Sequence, residues 1–246
     1  DATIMRAEAG NVTVVAIDGK KTLGGADWDE ALAQLISDKF VAQAGLGDEN
    51  PRLDPGFQIE LLGHAEETKQ SLTKRESATV RCRYQSADEQ VAVSRAEFEA
   101  ATKGLVGETI EIAERLVEAA RKKEPDLTVD KVLLVGGSSK MPMIEAALRE
   151  QLGWDPVSGD FDLGVAKGAA IVAQAIADGT WIDPDDTQPV GETPAEPKPY
   201  LGGSATLSVS NVLSRGVGII ALSDEDDEHV DFLEHANGSI PSPGRT

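Results

Sequence analysis

The sequence predicts an α/β fold, and three patterns carry that reading. Residues 132–135 (Val-Leu-Leu-Val) are a continuous apolar run of the kind expected of a strand buried on both faces. Gly136 and Gly137 end it, and a helix follows with Pro142 in its first turn and Ile144, Ala147, Leu148 and Leu152 on one stripe. Residues 77–84 and 89–93 alternate apolar and polar side chains, as a hairpin does. Trp28, Leu32, Leu35, Ile36 and Phe40 repeat at helical spacing. The strand, Gly-Gly-Ser turn and helix at 132–148 also suit a phosphate-bearing ligand. A helix N-terminus offers N–H groups, and glycines let a ligand approach the backbone. A tight turn with no ligand is the alternative reading of the same residues.

Taken in order, residues 2–5 and 12–17 read as two strands joined by a turn at 9–11. The opening on a strand without an initiator Met leads to the expectation that the chain is a fragment. A helix starts near Ala26, and residues 45–51 form a loop. The next helix spans about 57–73, with Leu61, Ala65, Thr68 and Leu72 on an apolar stripe. Glu66, Lys69 and Thr73 share a separate polar strip, with Gln70 at its edge, which by itself suits a solvated face. After the hairpin, Ser94 and Glu97 form a capping box that opens a long helix through Phe98, Leu105, Ile112, Leu116 and Ala120. A last helix is expected over about 162–177, with Val165, Ala169, Val172, Ala173 and Ile176 facing inward and Gly164 and Gly168 permitting close packing. Residues 178–204 hold five prolines among Asp, Glu and Thr and read as a linker. Residues 205–212, 216–222 and 229–233 are strand-like.

Composition narrows the function classes. The 246 residues are 40% hydrophobic, enough for a core, and carry a net charge of −20. That charge argues against nucleic-acid and anionic-membrane partners, both of which select Lys and Arg. Cys82 is the only cysteine, which excludes an internal disulfide and a thiolate metal cluster. His64, His229 and His235 lack ligand spacing. No signal peptide or 20-residue apolar run is present, so a cytoplasmic location is expected.

Four segments together carry a resemblance: Leu-Gly-Gly-Ala-Asp-Trp-Asp at 23–29, Ala-Glu-Glu-Thr-Lys-Gln-Ser-Leu-Thr at 65–73, Val-Gly-Gly-Ser-Ser-Lys at 135–140 and Asp-Phe-Asp-Leu-Gly-Val-Ala-Lys-Gly-Ala-Ala at 160–170. In this order and spacing the chain resembles the second lobe of the ATPase domain of 70-kilodalton heat-shock chaperones. The resemblance implies an actin-like (ribonuclease-H-like) ATPase lobe over 1–177, with an inserted helical and β-hairpin subdomain at about 46–124. It further implies that the linker at 178–204 leads into an interdomain linker and the start of a β-rich peptide-binding domain at 205–246.

By the same resemblance, Glu66, Lys69, Gln70 and Thr73 belong to the helix that holds adenosine, and Gly136, Gly137 and Ser138 to the loop at the ribose and phosphates. Lys140 matches the cation at the adenine face, Asp162 an acid near base and ribose, and Gly24 and Gly25 a turn at the nucleotide cleft. Asp1 matches a magnesium-side aspartate. The sequence departs from the family pattern at Ala26, where Glu is usual, at Lys140, where Arg is usual, at Gln70, where Arg is frequent, and at Asp160 and Phe161, where Asn-Pro is usual.

The implied cofactors are ATP or ADP and magnesium. The implied partners are a first ATPase lobe, unfolded client peptides, a J-domain cochaperone and a nucleotide exchange factor. The implied function is that of an ATP-dependent chaperone whose first lobe, with most catalytic residues, lies outside this chain. An actin-like sugar or acid kinase and a non-catalytic interaction protein of the same fold are the alternatives. A final expectation concerns the hairpin at 2–17: a C-terminal strand, 205–212 or 217–222, is expected to pair on the open edge beside residues 2–5. Exchange of that strand between neighbours would give a dimer.

Overall fold

The computed structural model describes residues 1–8, 11–158 and 162–181, together with the backbone of strands at 208–210, 217–222 and 228–234. The chain divides into two compact units. One comprises Lys20–Glu111 and Asp130–Asp162; the other comprises Asp1–Gly19, Ile112–Val129 and Leu163–Thr246. The α/β class is as expected.

The unit that begins at Lys20 holds helix α1 (Gly25–Ala44), helix α2 (Pro55–Leu72) and the antiparallel strands β3 (Ser77–Tyr84) and β4 (Ala87–Ser94). Both helices follow their apolar stripes. Trp28, Leu32, Ile36 and Phe40 of α1 meet Phe57, Leu61, Ala65 and Leu72 of α2 over Val80, Cys82, Val91 and Val93 of the hairpin. Phe57 stacks on Phe40 at 5.6 Å and meets Tyr84 edge-on at 5.7 Å. The loop expected at 45–51 contains a 3-10 turn at Pro51–Leu53, and Asp54 caps α2 by accepting from the Phe57 N–H at 2.8 Å. That cap and Pro55 start the helix two residues earlier than periodicity alone predicts.

Helix α3 (Arg95–Lys123) opens on the expected capping box. The Ser94 N–H donates to Glu97 at 2.8 Å and Ser94 Oγ accepts from the Glu97 N–H at 3.2 Å. Strand β5 (Val132–Leu134) pairs in parallel with β6 (Pro156–Ser158), a strand the sequence reading missed because it is three residues long and starts on proline. Helix α4 (Pro142–Leu152) buries Ile144, Ala147 and Leu148 as expected. The expectation that β5 is buried on both faces fails: Leu134 is buried, but Leu133 is 60% exposed. A two-stranded sheet covered on one face alternates, whatever the apolarity of its run.

In the other unit, β1 (Ala2–Glu8) and β2 (Asn11–Asp18) form the expected hairpin, with a bulge between Ile4 and Met5. Val15 and Ala16 pack against Leu116 and Ala120 of α3. Strand β7 (Ser208–Ser210) lies in the predicted 205–212 segment, but it pairs in parallel with β2, and the sheet order is β1-β2-β7. The expected pairing beside residues 2–5 is therefore corrected: among the described residues the outer edge of β1 takes no strand. The register shift between Ile4 and Met5 leaves Val15 of β2 as the extra residue, and β7 pairs with β2 at Asn11–Thr13, on the other side of it from Ala16. Strands β8 (Val217–Leu222) and β9 (Glu228–Glu234) form a separate antiparallel pair.

Helix α5 (Gly164–Ala177) forms where predicted, yet its expected inward stripe does not. Val165 is 77% exposed, Ile176 is 59% exposed, and Ala175 is the buried residue. A Cβ at Gly168 would meet nothing within 4 Å, so close packing does not explain that glycine. Beyond the end of the helix at Ala177, Gly179 takes the left-handed region at φ 66°, and the Thr180 N–H bonds back to the Ala175 carbonyl at 2.9 Å. The rest of the Pro-rich linker, along with Asp160 and Phe161, lies outside the described residues.

Candidate functional site

Every predicted nucleotide-site residue falls in the unit that contains α1, α2 and the Gly-Gly-Ser loop; Asp1 falls in the other. The first turn of α1 is set by Gly24, whose extended backbone donates its N–H to Asp27 at 2.7 Å. Gly25 follows as the first helical residue. A Cβ at Gly25 would lie 2.9 Å from Ser138 Oγ and 3.3 Å from Lys69 Nζ. Three elements thus converge there: the start of α1, the polar strip of α2 and the loop after β5. A side chain at Gly25 would have to displace those two side-chain ends.

Helical period separates two faces of α2. Leu61, Ala65, Thr68 and Leu72 are buried, while Glu66 and Gln70 are exposed. Lys69 lies between these faces and turns inward. Its Nζ donates to the Gly25 carbonyl at 3.1 Å and to Asp29 Oδ2 at 2.8 Å. Asp29 Oδ1 also lies 2.7 Å from Nζ in ion-pair contact, but it accepts no hydrogen bond among the described residues. The two side chains are 12% and 16% exposed, so the pair is largely desolvated and water screens it little. Thr73 Oγ donates to the Lys69 carbonyl at 3.0 Å within the helix, which leaves its lone pairs as acceptors.

The loop is shaped by Gly136, whose φ of 90° disfavours any side chain, and a 3-10 turn over Gly137–Lys140 precedes Pro142. A Cβ at Gly136 or Gly137 would meet nothing within 4 Å, so both present open backbone. Lys140 Nζ lies 2.7 Å from both carboxylate oxygens of Asp162. Here the geometry differs from a pair of free cations bracketing a base: each predicted lysine is held by a carboxylate. The Lys140–Asp162 pair is exposed and weak, whereas the Lys69–Asp29 pair is interior.

The sequence reading missed Asp29. Its residue was visible in the Leu-Gly-Gly-Ala-Asp-Trp-Asp segment, but its partner lies 40 positions away and no local pattern signals that. Asp1 presents its carboxylate close against Gly19. Among the described residues no group of three or more His, Cys, Asp or Glu side chains converges as a metal site. A crevice of about 620 Å³ lies along α1 between Gln34 and Asn50 and contains none of the predicted site residues.

The arrangement offers open glycine backbone, a buried cation and exposed polar side chains on a helix face. Groups of this kind can bind and orient a ligand with a planar polar body and oxygen-rich tail. The family model described as Hsp70 protein matches residues 1–187, which takes in every one of these groups. The chain belongs to the Hsp70 family. Its similarity to curated Hsp70 relatives runs over the same stretch. It is 34% identical over 189 residues to the chaperone protein HscA homolog of Aromatoleum aromaticum, covering 76% of this chain and 28% of that protein. It is 32% identical over 178 residues to the chaperone protein DnaK of Halobacterium salinarum, covering 70% and 28%. It is 36% identical over 179 residues to the chaperone protein HscA homolog of Pseudomonas aeruginosa, covering 72% and 27%. The matched part therefore spans less than a third of the length of these relatives.

Proposed function

We propose that this chain supplies one side of the nucleotide cleft of an ATP-dependent Hsp70 chaperone. The observation that carries the reading is the convergence at Gly25 of α1, Lys69 and Ser138. In this reading adenosine lies along the α2 face, with Glu66, Gln70 and Thr73 offering hydrogen bonds to base and ribose. Gly136, Gly137 and Ser138 admit the ribose and phosphates, and Gly24 and Gly25 border the cleft. Lys140 and Asp162, now a mutual pair, close the base side and would exchange their contact for the ligand. When bound, magnesium would neutralise phosphate charge, and Asp1 is the residue that the family resemblance assigns to it.

The whole protein would couple ATP binding and hydrolysis to holding unfolded polypeptide. A first lobe, a J-domain cochaperone and a nucleotide exchange factor would be its partners, and the cytoplasm its location. The domain reading remains the ATPase lobe over 1–177 with its inserted subdomain at about 46–124, a linker over 178–204, and a partial peptide-binding domain over 205–246. No helix among the described residues is long and apolar enough to cross a membrane.

The test is an ADP titration of this chain followed by amide NMR. Binding from one side of a cleft is expected in the millimolar range, about 4 kcal/mol. The responding amides should be those around Gly25, Glu66, Thr73 and Gly137. A Glu66→Ala, Lys69→Ala double variant that responds like the parent would remove the adenosine assignment.

A further inference from the structure

We propose that Asp29 is a positioning residue for the nucleotide: it holds the Lys69 ammonium against the first turn of α1, at the place where the adenosine reading puts the ligand. The proposal rests on the adenosine reading above and adds to it a residue and a role.

An ammonium has three donors and no acceptor. In Lys69 one donor goes to the Gly25 carbonyl and one to Asp29 Oδ2. Asp29 Oδ1 also lies 2.7 Å from Nζ, so the carboxylate and the carbonyl together fix where the ammonium sits. A lysine only 12% exposed would otherwise carry an uncompensated charge, or swing toward water on its long flexible stem. Asp29 prevents both. It sits one turn beyond Gly25 on α1, so its carboxylate and the Gly25 carbonyl lie on the same helix face and grip the ammonium together. Ser138 Oγ reaches the same point from the loop, 2.9 Å from where a Gly25 side chain would start. Lys69 therefore ties the adenosine helix to the turn nearest the phosphate loop, and Asp29 makes that tie possible.

A purely structural latch between α1 and α2 is the competing role, and the two differ in what they predict. The experiment uses the full 246-residue chain with ADP as the probe, in the parent and in Asp29→Asn, Lys69→Met and the double variant. Asp29→Asn is expected to weaken ADP about tenfold, Lys69→Met by a similar factor, and the double variant no further than Lys69→Met alone, since groups acting through one contact are not additive. Asp29→Glu should restore most of the affinity. A second readout needs no ligand. The Lys69 ammonium protons should give a slowly exchanging ¹⁵N-coupled resonance in the parent that vanishes in Asp29→Asn, and its absence in the parent would overturn the proposal even where a variant fails to fold. Parent-like ADP affinity in Asp29→Asn, or a double-variant loss equal to the sum of the single losses, overturns it as well. If Glu66→Ala abolishes ADP binding while Asp29→Asn leaves it intact, the positioning role falls and the adenosine reading stands. If the parent shows no ADP response at these amides, both fall.

Discussion

At the scale of single residues, glycine spacing and thiol burial give separable outcomes. Gly24 and Gly25 are neighbours, but a Cβ at Gly24 meets nothing within 4 Å whereas one at Gly25 meets Ser138 and Lys69. Gly25→Ala is expected to displace those two side-chain ends and weaken ADP severalfold, with Gly24→Ala close to the parent; parallel titrations check the contrast. Cys82 is buried in the hairpin face of the core, and burial, helped by the Glu60 carboxylate, pushes its thiol up to about 11. Little thiolate exists at neutral pH, and the sulfur is shielded. Alkylation of the native chain by iodoacetamide is expected to run on the order of a hundredfold slower than in denaturant. Equal rates would show that the hairpin does not pack as described.

Among the elements, α3 carries the clearest pH signature. The Glu97 carboxyl is held down at about 2 by the Lys39 ammonium, 2.6 Å away, and by the Ser94 N–H and hydroxyl. Its folded value lies below its ordinary 4.5. The stabilisation is therefore fully present above that ordinary value and is lost as pH falls toward the folded one. Glu97→Gln should flatten the acid limb of the unfolding curve between pH 4.5 and 2, with little change at neutral pH beyond the loss of an exposed pair. Ser94→Ala removes the oxygen that caps the Glu97 N–H and should cost about 1 kcal/mol in a urea melt. The interior of the neighbouring elements is more sensitive. Leu61 is 2% exposed between α1 and the hairpin, and Leu61→Ala should cost about 2–5 kcal/mol.

For the molecule as a whole, the proposed reading makes the groups that would bind nucleotide and the groups that would transfer phosphoryl different sets. Phosphoryl transfer needs in-line positioning and charge stabilisation around the transferred group. The convergence at Gly25 provides positioning from one side. The isolated chain is expected to bind ADP without turning ATP over, as a phosphate-release assay would check. Turnover at the rate of a full-length Hsp70, abolished by Asp162→Asn, would contradict the division of labour proposed here.

Much of this was legible in the residues themselves. The stripes of α1, α2 and α4, the β3–β4 alternation and the Ser94–Glu97 cap are local patterns, and local patterns report helices, strands and their buried faces. The candidate site was expected from four short segments in a family order, and the structure brings Gly25, Lys69 and Ser138 of three of those segments together. What those patterns lack is long-range pairing. They named Val165 and Ile176 as core because an apolar stripe implies a partner, yet a stripe does not say whether a partner covers it. They assigned β5 two buried faces because an apolar run does not count the strands beside it, and they passed over β6 because three residues carry no period. The choice of β2 over β1 as the edge for β7 is not written in either strand's own pattern, and the grip of Asp29 on Lys69 depends on bringing together residues 40 positions apart. Periodicity acts over a few residues and is written in the chain. Edge choice, coverage of an apolar face and a buried ion pair are decided by which surfaces meet, and only the tertiary fold decides that.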